Sequence, residues 1–199
     1  MTTSNFSKQY FKNGANLHTA ELPPIQVLSF IKNSLSECAT LTDIGCGIGK
    51  YSNWHSNVVG YDCMGNNNII DLDNSPEPIT TTEGALCIEV IEHLMFPENV
   101  FIFARKAGAK KLVLTTPNAA WWKHRLNLLC GKDSFSDAYS PHIRRFTLKT
   151  LIDMAQKNRY YPAKIRGTYA GIPCIGWVVR KGGLISLFSA GLMVEFISK

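Results

Sequence analysis

Asp43-Ile44-Gly45-Cys46-Gly47-Ile48-Gly49-Lys50 is the stretch of this sequence best equipped to hold a ligand. Three glycines at alternate positions after an apolar strand permit a tight turn and close backbone approach. A helix beginning after them would point unpaired N–H groups at an anion. The third glycine comes one residue too early for the dinucleotide fingerprint, and Gly49-Lys50-Tyr51 lacks the Ser or Thr that ends a phosphate loop. Asp43, two positions before the first glycine, can hold a ligand amine or order the loop. More acids follow at the ends of apolar runs. Asp62 closes Asn57–Asp62, where a carboxylate receives ribose hydroxyls in many open α/β sheets or simply ends a strand. Asp71 follows Ile69-Ile70. Glu89-Val90-Ile91-Glu92-His93-Leu94 follows the buried-type run Ala85–Ile88.

The pattern predicts strands over 39–44, 57–62, 68–72, 85–88, 111–115, 164–169 and 192–198. Helical periodicity covers the segment opened by Pro23-Pro24, with Ile25, Leu28, Ile31 and Leu35 on one face. It recurs over 97–107 and over 119–130, where Trp121, Trp122, Leu126 and Leu129 are the apolar members. Another helix starts after Thr147, a good N-cap, with Leu148, Leu151, Ile152 and Ala155 at helical spacing. Strands alternating with helices imply a parallel sheet covered on both faces.

Composition agrees with one packed domain. The chain has 199 residues, 45% of them hydrophobic and 18% charged, which excludes wholesale disorder. Its net charge of +6 conceals an asymmetry: residues 1–104 carry −7 and residues 105–199 carry +13. Such a split suggests two surfaces that meet differently charged things. The six cysteines include no C-x-x-C pair, so buried thiols in a reducing compartment are expected rather than a zinc or disulfide framework. Met1-Thr2-Thr3-Ser4-Asn5 has no signal-peptide character, and the expected location is cytoplasmic. The run from Gly183 to Ile197 contains Glu195 and is too short and polar for a transmembrane segment; it reads as a core helix and strand, with an interfacial segment as the weaker alternative.

DIGCGIG at 43–49, VVGYD ending at Asp62, IIDL around Asp71, EVIEHL at 89–94 and LTTPN at 114–118 occur in the order found in class I S-adenosylmethionine-dependent methyltransferases. Together with His142-Ile143-Arg144-Arg145-Phe146-Thr147, they most resemble the broad group of ubiquinone-biosynthesis-type O-methyltransferases (types 11 and 23), over residues 38–160. The resemblance implies an α/β, Rossmann-like, seven-stranded, mostly parallel sheet with helices on both faces. Its last strand, 192–198, would be antiparallel, and 171–190 would supply the preceding helix. Residues 1–199 would form one methyltransferase domain, with an N-terminal helical segment at 1–36 and an acceptor-side insertion at 119–146.

It further implies S-adenosyl-L-methionine as cofactor. Asp43, Gly45, Cys46, Gly47 and Gly49 would surround its methionine part, Asp62 its ribose, Asp71 and Leu72 its adenine, and Glu89 the methionyl end. Only eight residues separate Asp62 from Asp71, too few for the usual helix there. The acidic half suits a cationic cofactor. His142 and His93 are the candidate general bases. His142 is favoured by its position after the fifth strand, although a loop histidine packed on the next helix would look the same.

The implied activity is in-line O-methylation of a small or carrier-linked acceptor, an anionic one included, with Trp121, Trp122, Lys123, His124, Arg125, Lys132, Arg144 and Arg145 on the acceptor side. Nucleic acid is a less favoured acceptor. Two alternatives stay open. Glu89, Glu92, His93 and His142 resemble the metal-ligand set of small-RNA 2′-O-methyltransferases, which would make this a metal-dependent RNA enzyme. A catalytically silent, cofactor-binding subunit would keep the same loop. The primary expectation assigns no metal.

Overall fold

Apolar side chains alternate between the two faces of a single sheet. Leu41, Leu86, Ile88, Val113 and Met193 fall into one buried cluster, while Ala85, Cys87, Leu112, Leu114 and Val194 fall into the other. This is the two-residue period of strands buried on both sides. The computed structural model describes residues 24–63, 68–132, 142–168 and 183–199.

The strands are β1 (Leu41–Ile44), β2 (Val58–Asp62), β3 (Asn68–Ile69), β4 (Gly84–Ile88), β5 (Lys111–Pro117), β6 (Tyr160–Thr168) and β7 (Gly191–Ser198). They form one seven-stranded sheet in the order β3-β2-β1-β4-β5-β7-β6. Only β7, the last in the chain, runs antiparallel to its neighbours. The helices are α1 (Ile25–Leu35), α2 (Asn99–Lys106), α3 (Trp122–Leu129), α4 (Leu148–Lys157) and α5 (Gly183–Phe188). Helix α1 covers one face through Val27, Phe30, Ile31 and Leu35. The other face is covered by Phe101 and Phe103 of α2, Leu151 and Ala155 of α4, and Ile185 of α5.

Several sequence expectations change. No helix follows the glycine turn; residues 47–57 form a chain of turns. Their Ser, Asn, Trp and His side chains bond backbone instead: Trp54 Nε1 donates to Tyr51 O at 2.8 Å, and His55 Nε2 contacts Cys38 O at 2.9 Å. The strand expected over 68–72 stops at Ile69, because Asp71 caps a short 3₁₀ turn, Leu72–Asn74. Strand β5 extends to Pro117, whose missing N–H is tolerated at a strand end. Strand β6 begins at Tyr160, four residues before the expected start. The expected 119–130 helix contracts to α3 and buries none of its residues. Cys38, Cys46 and Cys87 are buried as expected, but Cys63 is half-buried and Cys130 exposed. The first 23 residues of the 1–36 segment, most of the expected 131–141 loop, much of the 171–190 segment and Cys174 lie outside the described residues.

Candidate active site at the C-terminal edge of the sheet

The glycine turn leaves β1 at the C-terminal edge of the sheet, where ligands of open α/β folds bind. Gly45 and Cys46 both donate their N–H to Tyr61 O, at 2.8 and 3.1 Å, tying the turn to β2. Gly45 has φ +74°, and a Cβ there would lie 2.2 Å from Val90 Cγ2, so the position accepts no side chain. At Gly47, φ +51°, no described atom lies within 4 Å of where a Cβ would be. Among the described residues nothing fills that side of the loop, and Gly47 N–H donates to Asp62 Oδ2 at 2.7 Å.

Asp43 is buried at 3% exposure, and its Oδ2 has no hydrogen-bond partner among the described residues. Burial pushes its pKa up to about 6; the Ser52 hydroxyl opposes this and the Asp62 charge adds to it. Cys46 is pushed up to about 12 by burial and then by the Asp43 and Asp62 charges, so it remains a neutral thiol. On the adenine side expected from the sequence, Asp71 is a capping residue. Its Oδ1 accepts from Asp73 N at 3.1 Å and its Oδ2 from Asn74 Nδ2 at 3.0 Å. Leu72 is buried, and its carbonyl accepts from Asn99 Nδ2 at 2.6 Å.

Beside the turn, β4 and β5 end in register, with Ile88 opposite Thr115. The next residue, Glu89, has φ +55°, a left-handed backbone rare for a residue with a Cβ and common where geometry serves a site. Thr115 Oγ1 donates to Glu89 Oε1 at 2.7 Å, and Thr116 Oγ1 donates to Glu92 Oε2 at 3.1 Å. Glu92 is almost fully buried on the 3₁₀ turn Ile91–His93. Burial raises the pKa of both carboxyls, and the neighbouring Glu89 charge lifts Glu92 further, well above the carboxylate range. Two carboxyls this close do not both ionise unless a cation joins them.

The 142–147 segment lies over this edge. Arg144 N–H donates to Glu92 O at 2.9 Å, and Arg144 Nη2 donates to Met95 O at 2.6 Å. Asn118 and Phe146 form a parallel bridge. These bonds bring His142 to His93, with ring centroids 4.8 Å apart. One ligand atom from each of Glu92, His93 and His142 lies within 4.8 Å of the others. Desolvation lowers the His142 pKa, keeping its imidazole neutral and able to accept a proton.

All the site residues named from the sequence thus lie on one edge of the sheet or in the turns that follow it. Thr115 and Thr116 were not singled out. The signal was present: Leu114-Thr115-Thr116-Pro117-Asn118 ends the strand paired with the one that delivers Glu89, which sets its threonines level with those carboxyls.

No family model matches the chain, and no curated protein matches it in sequence. Its fold does match solved structures. One is a SAM-dependent methyltransferase from Thermotoga maritima, described as a possible histamine N-methyltransferase, at TM-score 0.74 and 15% identity, covering 100% of each chain. A second is the Burkholderia thailandensis 1,6-didemethyltoxoflavin-N1-methyltransferase, solved with its substrate and S-adenosylhomocysteine; the TM-score is 0.64 and the identity 12%, over 99% of this chain and 87% of that one. A third is the small RNA methyltransferase HEN1, at TM-score 0.58 and 16% identity. There the match covers 87% of this chain and 25% of the other, so this chain corresponds to a quarter of that longer protein. The chain has the fold of class I S-adenosylmethionine-dependent methyltransferases.

Proposed function

We propose that this protein is an S-adenosylmethionine-dependent methyltransferase acting on an oxygen of a small or carrier-linked acceptor. The observation that carries the reading is Asp43: a buried carboxylate oxygen with no described partner, beside a glycine turn open at Gly47. An ammonium group relieves such an oxygen, and the open backbone face admits the chain that bears it. The residues present therefore fit the cofactor. When bound, S-adenosylmethionine supplies an electrophilic methyl group on a sulfonium.

The protein's own contribution is placement and proton handling. Asp43 and the turn hold the amino-acid end, while Asp62 receives the ribose hydroxyls. Glu89, fixed by Thr115, would lie at the methionyl end and offer its carboxyl to the cofactor's positive charge. A ring nitrogen of His142, kept neutral by burial, accepts the proton released by the acceptor hydroxyl. Isothermal calorimetry with S-adenosylhomocysteine should show binding that Asp62→Ala weakens by at least about tenfold, the cost of about one charge-assisted hydrogen bond. A folded chain that binds none would sink the proposal.

A second reading is supported by the grouping of Glu92, His93 and His142. One carboxylate and two imidazoles, with Glu89 beyond them, are a donor set suited to a divalent transition ion or Mg²⁺. Such an ion would hold Glu92 ionised despite its burial. In this reading the acceptor is a 2′-hydroxyl at an RNA end, an activity that chelator should abolish and Mn²⁺ or Mg²⁺ restore. RNA methylation indifferent to chelator argues against it.

A further inference from the structure

Helix α3 follows β5 yet contributes no side chain to either core cluster, and none of its residues is buried. At ~100° per residue, Trp122, Leu126 and Leu129 fall on one stripe roughly 60° wide. Leu126 is 50% exposed and Leu129 85% exposed; Leu128, 57% exposed, lies about 100° away from the stripe, beyond Arg125. Lys123 and Arg125 flank the stripe on either side, and Lys132 follows the helix. Residues 119–132 contain no acid. The Lys123 ammonium lies 5.0 Å from the centroid of Trp121 and 5.8 Å from that of Trp122, so its charge sits at the edge of the aromatic surface. Exposed leucines bordered by cations and tryptophans are the composition of a helix that lies in a membrane interface.

We propose that α3 docks the protein on an anionic lipid surface. Leu126 and Leu129 enter the acyl boundary, half-buried Trp122 continues the stripe toward the body of the protein, and Lys123, Arg125 and Lys132 meet the headgroup phosphates. Charge selects this occupant. A second copy would set the same cations against one another, whereas anionic lipid offers hydrocarbon and negative charge together. The net +13 of residues 105–199 adds a long-range attraction of the chain to an anionic surface. Among the described residues no helix is long and apolar enough to cross a membrane, so the contact is peripheral and reversible. The proposal stands apart from methyl transfer and is tested without it.

The full chain is sedimented with vesicles of phosphatidylcholine alone and of phosphatidylcholine with phosphatidylglycerol, while tryptophan emission is recorded. Binding is expected only with phosphatidylglycerol, with a blue shift. It should weaken at least about tenfold in L126E/L129E, and lose most of its salt dependence in K123Q/K132Q. Thermal unfolding of L126E/L129E should match the parent, because Leu126 and Leu129 are exposed, and that of K123Q/K132Q should fall only slightly, through loss of the Lys123 contact with Trp121 and Trp122. Failure of the parent to bind overturns the proposal, as does equal binding to both vesicles or undiminished binding by L126E/L129E. Concentration-dependent self-association that L126E/L129E abolishes would assign the stripe to a second copy instead.

Discussion

At the scale of single residues, the proposed function makes Asp43 a link between stability and ligand binding. Its carboxyl has a pKa of about 6 in the fold against 3.8 for a free side chain. A raised carboxylate pKa means that folding disfavours the charged form. No penalty exists below pH 3.8; it grows up to about pH 6 and is complete above that. Its size is roughly 3 kcal/mol, from about 1.4 kcal/mol per pKa unit. A ligand ammonium pairs with the ionised form and recovers part of this cost. S-adenosylhomocysteine should therefore bind more tightly as the pH rises from about 5 to 7. In Asp43→Asn the affinity should fall by at least about tenfold and become flat with pH, while thermal stability at neutral pH should hold or rise. A parent affinity that ignores pH would place the ammonium elsewhere. Asp43 was recognisable in sequence by its position before the glycines; its burial was not, since that is set by tertiary packing, with Ser52 of the following turns bonded to it.

At the scale of elements, α4 illustrates how a cap fixes a distant side chain. Thr147 Oγ1 accepts from Thr150 N at 3.2 Å, and Thr147 N donates to Thr150 Oγ1 at 2.9 Å, a reciprocal cap. The five residues before Thr147 carry His142, so the start of α4 sets where the imidazole hangs. Thr147→Ala should cost about 1 kcal/mol, a fall in Tm of roughly 2–4 °C for a chain this size. Binding of S-adenosylhomocysteine should be unchanged, since the glycine turn lies on other elements; a parallel loss of binding would mean that α4 also orders the cofactor side. Thr147 and the apolar period behind it were legible as a helix start. The 3₁₀ turn at Ile91–His93 was not, because three residues leave no period to read. The missing helix after Gly49 misled for a different reason: Tyr51, Ser52, Trp54 and His55 take tertiary and side-chain-to-backbone bonds that outweigh helical preference.

At the scale of the whole molecule, the strands buried on both faces were legible in the sequence pattern, whereas the late strand that returns antiparallel came only with the family resemblance. The destination of α3 was not legible: its residues read as the acceptor side, and only its position against the finished fold shows that Leu126 and Leu129 are exposed. The same holds for charge. The −7 and +13 halves were countable from the start, but the burial of Asp43 and Glu92 at the sheet edge and the exposure of Arg125 on α3 are structural facts. The two should therefore answer salt differently. The Asp43 and Asp62 contacts act at hydrogen-bond range within the turn, where screening is weak. The cations around α3 act through water, where the Debye length shortens from about 10 Å at 0.1 M salt to about 3 Å at 1 M. Raising KCl over that range should change S-adenosylhomocysteine affinity by less than about threefold, while binding to phosphatidylglycerol vesicles should fall by an order of magnitude or more. Calorimetry and sedimentation on one preparation test this directly. If both affinities collapse together, the cofactor is held by the long-range field of the acidic half, and the short-range role given to Asp43 is wrong.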